Sequence, residues 1–255
     1  MKRRLQASRS LKKERSIRKA AKRALEVLLR LLYPNTCPLC GRVTRERVCP
    51  ACADAVRPIG EPICKKCGKP VRDEQAEYCR DCSSARHYFD EGRALWLHRG
   101  QAAWSVYQFK FHNRRIYAGF YAAEMARVHG AYVRRSRVCL IIPIPLGRRK
   151  RRRRGFNQAE VLAGELSGRL QVPVDAAHLV RRRDTVPQKS LDPAARRENV
   201  RGIFAWTGCS LEGRKVLLVD DIYTTGSTLD SAARTLKKAG AEKVYFLTIS
   251  IGQGY

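Results

Sequence analysis

The sequence predicts an α/β chain: an open, mostly parallel sheet with flanking helices, preceded by a small cysteine-rich module and a basic leader helix. Three observations carry this. Val138–Pro145, Lys215–Asp221 and Val244–Ile251 are apolar runs dense in β-branched residues and Leu, as strands buried on both faces require. Between them, Gln158–Leu170 and Ser227–Ala239 place apolar residues at helical spacing, so strand, helix, strand over 215–251 reads as a βαβ unit. The paired cysteines all precede the first of these runs.

Taken in order, residues 1–33 read as a basic amphipathic helix, with Ile17, Ala21, Ala24, Leu28 and Leu32 on one side and Pro34 ending it. A solvated extension explains the same pattern. Residues 34–85 have little apolar periodicity and too little apolar material for a core of their own. From residue 86 to residue 255 the chain alternates strands and helices. Lys237, Lys238 and Gly240 supply the expected C-terminal chemistry for the last helix. Residues 181–201, Arg-rich with two prolines, read as a long loop of the kind that serves as a lid.

Composition narrows the function. The 255 residues are 44% apolar and carry a net charge of +29, with +10 in residues 1–30 and seven consecutive bases at Arg148–Arg154. Such a surplus favours polyanions: nucleic acid, phosphorylated small molecules or an anionic membrane surface. A generally basic proteome explains the overall bias but not the two clusters. No apolar run approaches the ~18 residues of a membrane span, and residues 1–21 contain no uncharged apolar stretch of a secretory signal. The expectation is a cytoplasmic protein without an integral membrane segment.

Eight of the ten cysteines fall in C-x-x-C pairs: Cys37/Cys40, Cys49/Cys52, Cys64/Cys67 and Cys79/Cys82. A two-residue gap lets one knuckle supply two soft ligands, and four thiolates complete a tetrahedral Zn²⁺ site. Gly41 and Gly68 follow the first and third pairs, where the tight turn needs them. Cys37-Pro-Leu-Cys40-Gly41 returns 27 residues later as Cys64-Lys-Lys-Cys67-Gly68. The repeat suggests two consecutive structural zinc ribbons; a cross-braced pairing satisfies the same spacing, and redox dithiols or an iron–sulfur cluster are the other chemistries open to such pairs. Cys139 and Cys209 lie beside apolar stretches and read as buried, inert thiols.

The most informative segment is Val216–Thr228. A buried strand delivers Asp220 and Asp221 to its carboxyl end, a turn of hydroxyl residues and one glycine follows, and a helix opens. Ligands of open α/β sheets bind at that end. Amides at the helix start, with the Thr224, Thr225, Ser227 and Thr228 hydroxyls around Gly226, form a nest for a phosphate dianion. The acids repel that phosphate and suit a sugar diol or its bound Mg²⁺. Together these describe a phosphoribosyl site. A plain capping box, Ser227 with Asp230, accounts for Ser227 but for neither the acid pair nor Thr224-Thr225-Gly226.

This segment resembles the phosphoribosyl pyrophosphate (PRPP) motif of type I phosphoribosyltransferases. With the cysteine pairs, Phe109-Lys110-Phe111, Ile141–Pro145 and Arg154-Gly-Phe-Asn-Gln158, residues 30–255 are similar to the ComF family of competence-associated proteins. The resemblance implies a type I phosphoribosyltransferase fold, Mg²⁺ with PRPP, and a role in DNA uptake, competence or DNA processing. It implies that Asp220 and Asp221 contact ribose hydroxyls and Thr224–Thr228 the 5′-phosphate. Gly147, Arg154, Asn157 and Gln158 would form the pyrophosphate loop, Lys110 would reach pyrophosphate from the hood, and Gln188, Arg196 and Asn199 would belong to a mobile loop. The seven-base run is denser than the family pattern. If catalytic, the reaction is displacement at the anomeric carbon of PRPP, driven by positioning and charge stabilisation, with no dedicated nucleophile and no legible acceptor. The alternative is a non-catalytic PRPP sensor or single-stranded-DNA-binding accessory, or a zinc-ribbon scaffold for DNA-uptake proteins. Trp96, Trp104 and Tyr107 read equally well as core or as stacking platforms.

Overall fold

The computed structural model describes residues 35–183 and 202–252. The leader expected over residues 1–33 and the loop residues Gln188, Arg196 and Asn199 lie outside them. The chain divides into two compact units, Met1–Cys52 and Ala53–Tyr255, so the two cysteine quartets belong to different units.

In the first unit the described chain carries two cysteine pairs, the first of them in a hydrogen-bonded knuckle. Thr36 and Val43 form an antiparallel bridge, and the Cys37 amide donates to the Arg42 carbonyl at 2.8 Å. The second unit repeats this 27 positions on: Ile63 bridges Pro70, and the Cys64 amide donates to Lys69 at 2.7 Å. The second cysteine pair of each ribbon opens a short helix, α1 (Pro50–Ala55) and α2 (Arg80–Ser84).

The body of the second unit is a four-stranded parallel sheet. Its strands are β1 (Glu91–Leu97), β2 (Leu140–Pro143), β5 (Lys215–Tyr223) and β6 (Lys243–Ile251), in the order β1-β6-β5-β2. Every pairing is parallel, with Asp220 opposite Thr248 on β6. A two-stranded antiparallel pair, β3 (Leu179–Arg181) and β4 (Phe204–Trp206), stands apart from it. The helices are α3 (Gly100–Phe111), α4 (Tyr117–Arg135), α5 (Arg148–Arg154), α6 (Gln158–Leu170) and α7 (Ser227–Lys238).

Strand alternation sorts the layers. Val216 and Leu218 of β5 join a core with α7 residues Leu229, Ala232 and Leu236 and with Cys64, Cys67 and Cys79 of the second ribbon. Their neighbours Leu217 and Val219 are also fully buried, toward the opposite face. There α6 packs on β2 and β5, with α4 beside it. The second ribbon therefore shares a core with the sheet rather than forming its own.

Three expectations change. The seven-base run is not part of an open loop but helix α5, ended by Gly155 in the left-handed region (φ 76°). Arg151 forks onto Glu160 at 3.1 and 3.2 Å, which offsets part of the repulsion within the run. Cys139 and Cys209 are exposed rather than buried. Cys139 directly precedes edge strand β2, so the apolar run begins two residues before the buried strand. Arg181, expected in a loop, ends strand β3.

Candidate functional site

Each cysteine quartet gathers its four sulfur atoms within 4.8 Å of one another: Cys37, Cys40, Cys49 and Cys52, and separately Cys64, Cys67, Cys79 and Cys82. The pairing is consecutive, not cross-braced. Tetrahedral zinc with ~2.3 Å bonds to sulfur requires sulfurs ~3.8 Å apart; Cys40–Cys49 and Cys67–Cys79 stand at 3.6 Å. Gly41 and Gly68 both adopt positive φ (77° and 74°), as the knuckle demands. Mutual hydrogen bonding, chiefly with Cys64, pushes the Cys67 and Cys82 thiols up and correspondingly holds Cys64 down. Four thiols packed this closely need a cation to become four thiolates, and the donor set suits Zn²⁺.

The acid pair lies at the carboxyl end of β5. Asp221 is buried, its Oδ1 2.7 Å from Lys110 Nζ on α3 and its Oδ2 4.0 Å from Arg154 on α5. Asp220 accepts from the Asp221 amide at 2.8 Å. Burial, and then the neighbouring Asp221 carboxylate, push its carboxyl up to about 7, against the pull of Lys110 and Arg154. Lys150 extends the cationic wall: partial desolvation and the charges of Arg181, Arg154 and Lys110 push it below the ordinary lysine range. His98, hydrogen-bonded to the Ser250 hydroxyl at 2.9 Å, is held low by burial and by Lys110, so it adds no charge near neutrality.

Beyond the acids the chain bends over a hollow of about 20 Å³, lined by Asp220 and by residues 222–229. That is room for one water-sized group. Gly226 precedes α7 with φ 74°, and no side chain caps the helix. The Thr225 and Ser227 hydroxyls bond each other at 2.8 Å. Asp230, the other half of the capping-box reading, instead accepts from the Tyr88 amide. The Asp230 amide donates to the Gly226 carbonyl at 2.8 Å, and no side chain among the described residues caps the amides before it. A larger cavity, about 1140 Å³, runs along α7 and shares only Ser227 with the lining of this hollow.

The remaining sequence-derived residues hold the site from behind. Asn157 is buried; its Oδ1 accepts from the Ala159 amide at 3.1 Å and its Nδ2 donates to the Ile144 carbonyl at 3.0 Å, tying α6 to the chain leaving β2. Gln158, also buried, accepts from Arg154 at 2.9 Å and donates to the Lys110 carbonyl at 3.4 Å. Gly147 opens α5 with φ −64°, a conformation open to any residue. Lys150 and His98 were missed at the sequence level, because nothing local distinguishes them from other surface bases and scattered histidines.

A second surface adjoins the cleft. Trp96 is buried, but Trp104, Tyr107 and Phe111 line the exposed side of α3. The Arg153 and Arg154 guanidinium groups lie 5.5 and 4.8 Å from the Phe111 ring centre.

Two family models match the chain: a double zinc ribbon domain over residues 28–83 and a phosphoribosyl transferase domain over residues 157–250. "Competence protein F" of Haemophilus influenzae is 31% identical over 179 residues, covering 66% of this chain and 76% of that protein. "Competence protein ComFC" of Bacillus subtilis is 28% identical over 218 residues, covering 83% and 75%. "DNA utilization protein YhgH" of Escherichia coli O157:H7 is 38% identical over 104 residues, which is 41% of this chain and 45% of that one. No helix among the described residues is long and apolar enough to cross a membrane.

Proposed function

Because this chain belongs to the ComF family, with its double zinc ribbon and phosphoribosyltransferase domain, we propose that it binds PRPP, or a closely related phosphorylated ribose, and serves DNA uptake or DNA processing. The observation that supports this most strongly is one continuous element: two acids at a strand end, a hydroxyl-rich bend around Gly226, and an uncapped helix start. In this reading the bend and its amides take the 5′-phosphate, and Asp220 and Asp221 take the ribose hydroxyls. Lys110, Lys150 and Arg154 face the acids from across the cleft, where the pyrophosphate of such a ligand would lie. The two carboxylates and the pyrophosphate oxygens are hard donors that suit Mg²⁺, which when bound neutralises charge on the leaving group.

As a transferase, the protein would displace pyrophosphate from the anomeric carbon by an acceptor nucleophile. Its own residues would supply position and charge: the bend anchors one end of the donor, and Lys110 and Arg154 stabilise charge accumulating on the departing oxygens. Asn157 and Gln158 would act by fixing the loop and the lysine-bearing helix. Gln188, Arg196 and Asn199 belong to this proposal as a loop closing over the donor. The eight cysteines take two Zn²⁺ as structural ions. The decisive measurement is calorimetric PRPP binding by the full chain with Mg²⁺, followed by pyrophosphate release across a panel of acceptors. Asp220→Asn with Asp221→Asn should abolish binding without unfolding the protein; retained binding would sink the assignment.

One observation favours a second reading, a non-catalytic single-stranded-DNA-binding accessory. The exposed aromatic stripe of α3 beside the basic α5 offers stacking faces next to cations, as single strands require. Affinity for single-stranded DNA should then fall steeply with salt, and Tyr107→Ala with Phe111→Ala should weaken it about tenfold or more. Unchanged affinity in that variant would exclude the stripe.

A further inference from the structure

Two side chains, Lys69 and Tyr223, connect the second cysteine quartet to the bend assigned above to the phosphate. Lys69 follows Cys67 by two positions, and Asp81 lies between Cys79 and Cys82. Lys69 is 3% exposed, and its ammonium is 2.5 Å from the Asp81 carboxylate. The same ammonium stands 5.7 Å from the centre of the Tyr223 ring. Tyr223 is the last residue of β5 and directly precedes Thr224-Thr225-Gly226.

The ring has little freedom. It stacks on Phe246 with centroids 5.1 Å apart and meets Phe89 edge-on at 6.2 Å. Its hydroxyl is buried with no hydrogen-bond partner among the described residues, and Tyr223 is one of the residues lining the hollow over the bend. It also presses on the bend itself: a Cβ at residue 226 would come within 2.4 Å of it. A buried phenol left unpartnered costs free energy, so this arrangement persists only while its surroundings enforce it. The buried ammonium is tolerable only with Asp81 and the ring in place.

We propose that the second zinc ribbon sets the shape of the phosphate bend through Lys69 and Tyr223, making Lys69 a positioning residue and the metal a remote determinant of ligand affinity. The proposal rests on the phosphoribosyl reading of the bend. With zinc bound, Cys67, Cys79 and Cys82 are fixed, Lys69 and Asp81 stay paired over the ring, and Tyr223 holds the backbone at Gly226. Loss of the metal frees the turns that carry both charges, and the ring and the bend gain freedom together. Such coupling is reciprocal: ligand in the bend must tighten zinc in this quartet by the same factor.

The test uses the full-length, zinc-loaded chain with ribose 5-phosphate as the probe and zinc content measured alongside. Wild-type binding checks the underlying reading by itself; no binding would overturn that reading and this proposal with it. Given wild-type binding, Lys69→Met should retain both zinc ions yet bind about tenfold more weakly, and Lys69→Arg should restore affinity. Wild-type affinity in a zinc-replete Lys69→Met protein would overturn the proposal and leave the phosphoribosyl reading standing. The wild-type protein gives a second arm that needs no variant. Saturating ribose 5-phosphate should slow release of one of the two zinc ions to a chelator about tenfold and leave the other unchanged; identical release with and without ligand would overturn the coupling.

Discussion

The Nζ of Lys110 lies 2.7 Å from Oδ1 of Asp221, joining the end of α3 to the end of β5 across the cleft. Both side chains are largely withdrawn from solvent, so each would be costly to leave alone. A phosphorylated sugar entering here must exchange this internal pair for contacts of its own. Lys110→Met is therefore expected to weaken Mg²⁺–PRPP binding ten- to hundredfold, about 1.4 to 2.7 kcal/mol. It should also lower unfolding stability by about 1–3 kcal/mol, because Asp221 keeps only the more distant Arg154. Calorimetry and denaturant melts check both; undiminished affinity would leave Lys110 a structural partner only.

Asp220 gives a pH signature. Its carboxyl is pushed from 3.8 up to about 7, by burial first and by Asp221 second. Between those values the folded chain holds a proton that the unfolded chain has lost, so this group's contribution to stability is full below about 4 and is lost as pH rises through 7. Ligation of the ribose and its metal needs the carboxylate, so binding releases that proton. Affinity for Mg²⁺–PRPP should climb by up to tenfold per pH unit toward 7 and flatten above it. Asp220→Asn should abolish binding while melting above wild type at pH about 8. A pH-independent affinity would count against an uncharged Asp220 in the free protein.

What could be read in advance was whatever is local in sequence. The cysteine repeat, the acid pair and the bend are contiguous motifs, and helix Gln158–Leu170 was legible to the residue because its periodicity is uninterrupted. Strand β1 was not, since Glu91, Gly92 and Arg93 break its apolar run and an edge position tolerates them. In α3 both sides carry aromatic or aliphatic residues, so periodicity could not say that Phe109 points inward and Tyr107 outward. Lys110 and Asp221 are more than a hundred residues apart, and no spacing rule brings them together. Lys69 belongs to no sequence motif, and only the fold brings it to Tyr223.

Gly226 is where the bend is least tolerant. Its φ of 74° favours glycine, and a Cβ there meets the Tyr223 hydroxyl at 2.4 Å and ring carbons at 2.6 and 2.7 Å. Gly226→Ala should cost about 1–3 kcal/mol of stability and reduce ribose 5-phosphate binding below detection. Tyr223→Phe should not rescue it, because the ring carbons obstruct as well as the hydroxyl. Recovery of binding in the double variant would mean that the hydroxyl alone sets the clash, and calorimetry distinguishes the two.

The thiols offer a direct check on the metal. Of ten cysteines, eight lie in the two quartets, while Cys139 and Cys209 are exposed. Zinc-bound thiolates are shielded from disulfide reagents, so the native protein should show two fast-reacting thiols, and Cys139→Ser with Cys209→Ser should remove that phase. The other eight should react only as zinc leaves, at two ions per chain. Release should also be ordered. Two sulfurs of the first quartet, Cys40 and Cys49, are half-buried against one, Cys82, in the second, and Cys64, Cys67 and Cys79 of the second belong to the core of the sheet, so the first ion should go to chelator without loss of tertiary structure. The second should leave only as near-ultraviolet circular dichroism changes, because its ligands share that core with Phe89 and Tyr223. Simultaneous loss of both ions with no spectral change would contradict the different settings of the two quartets.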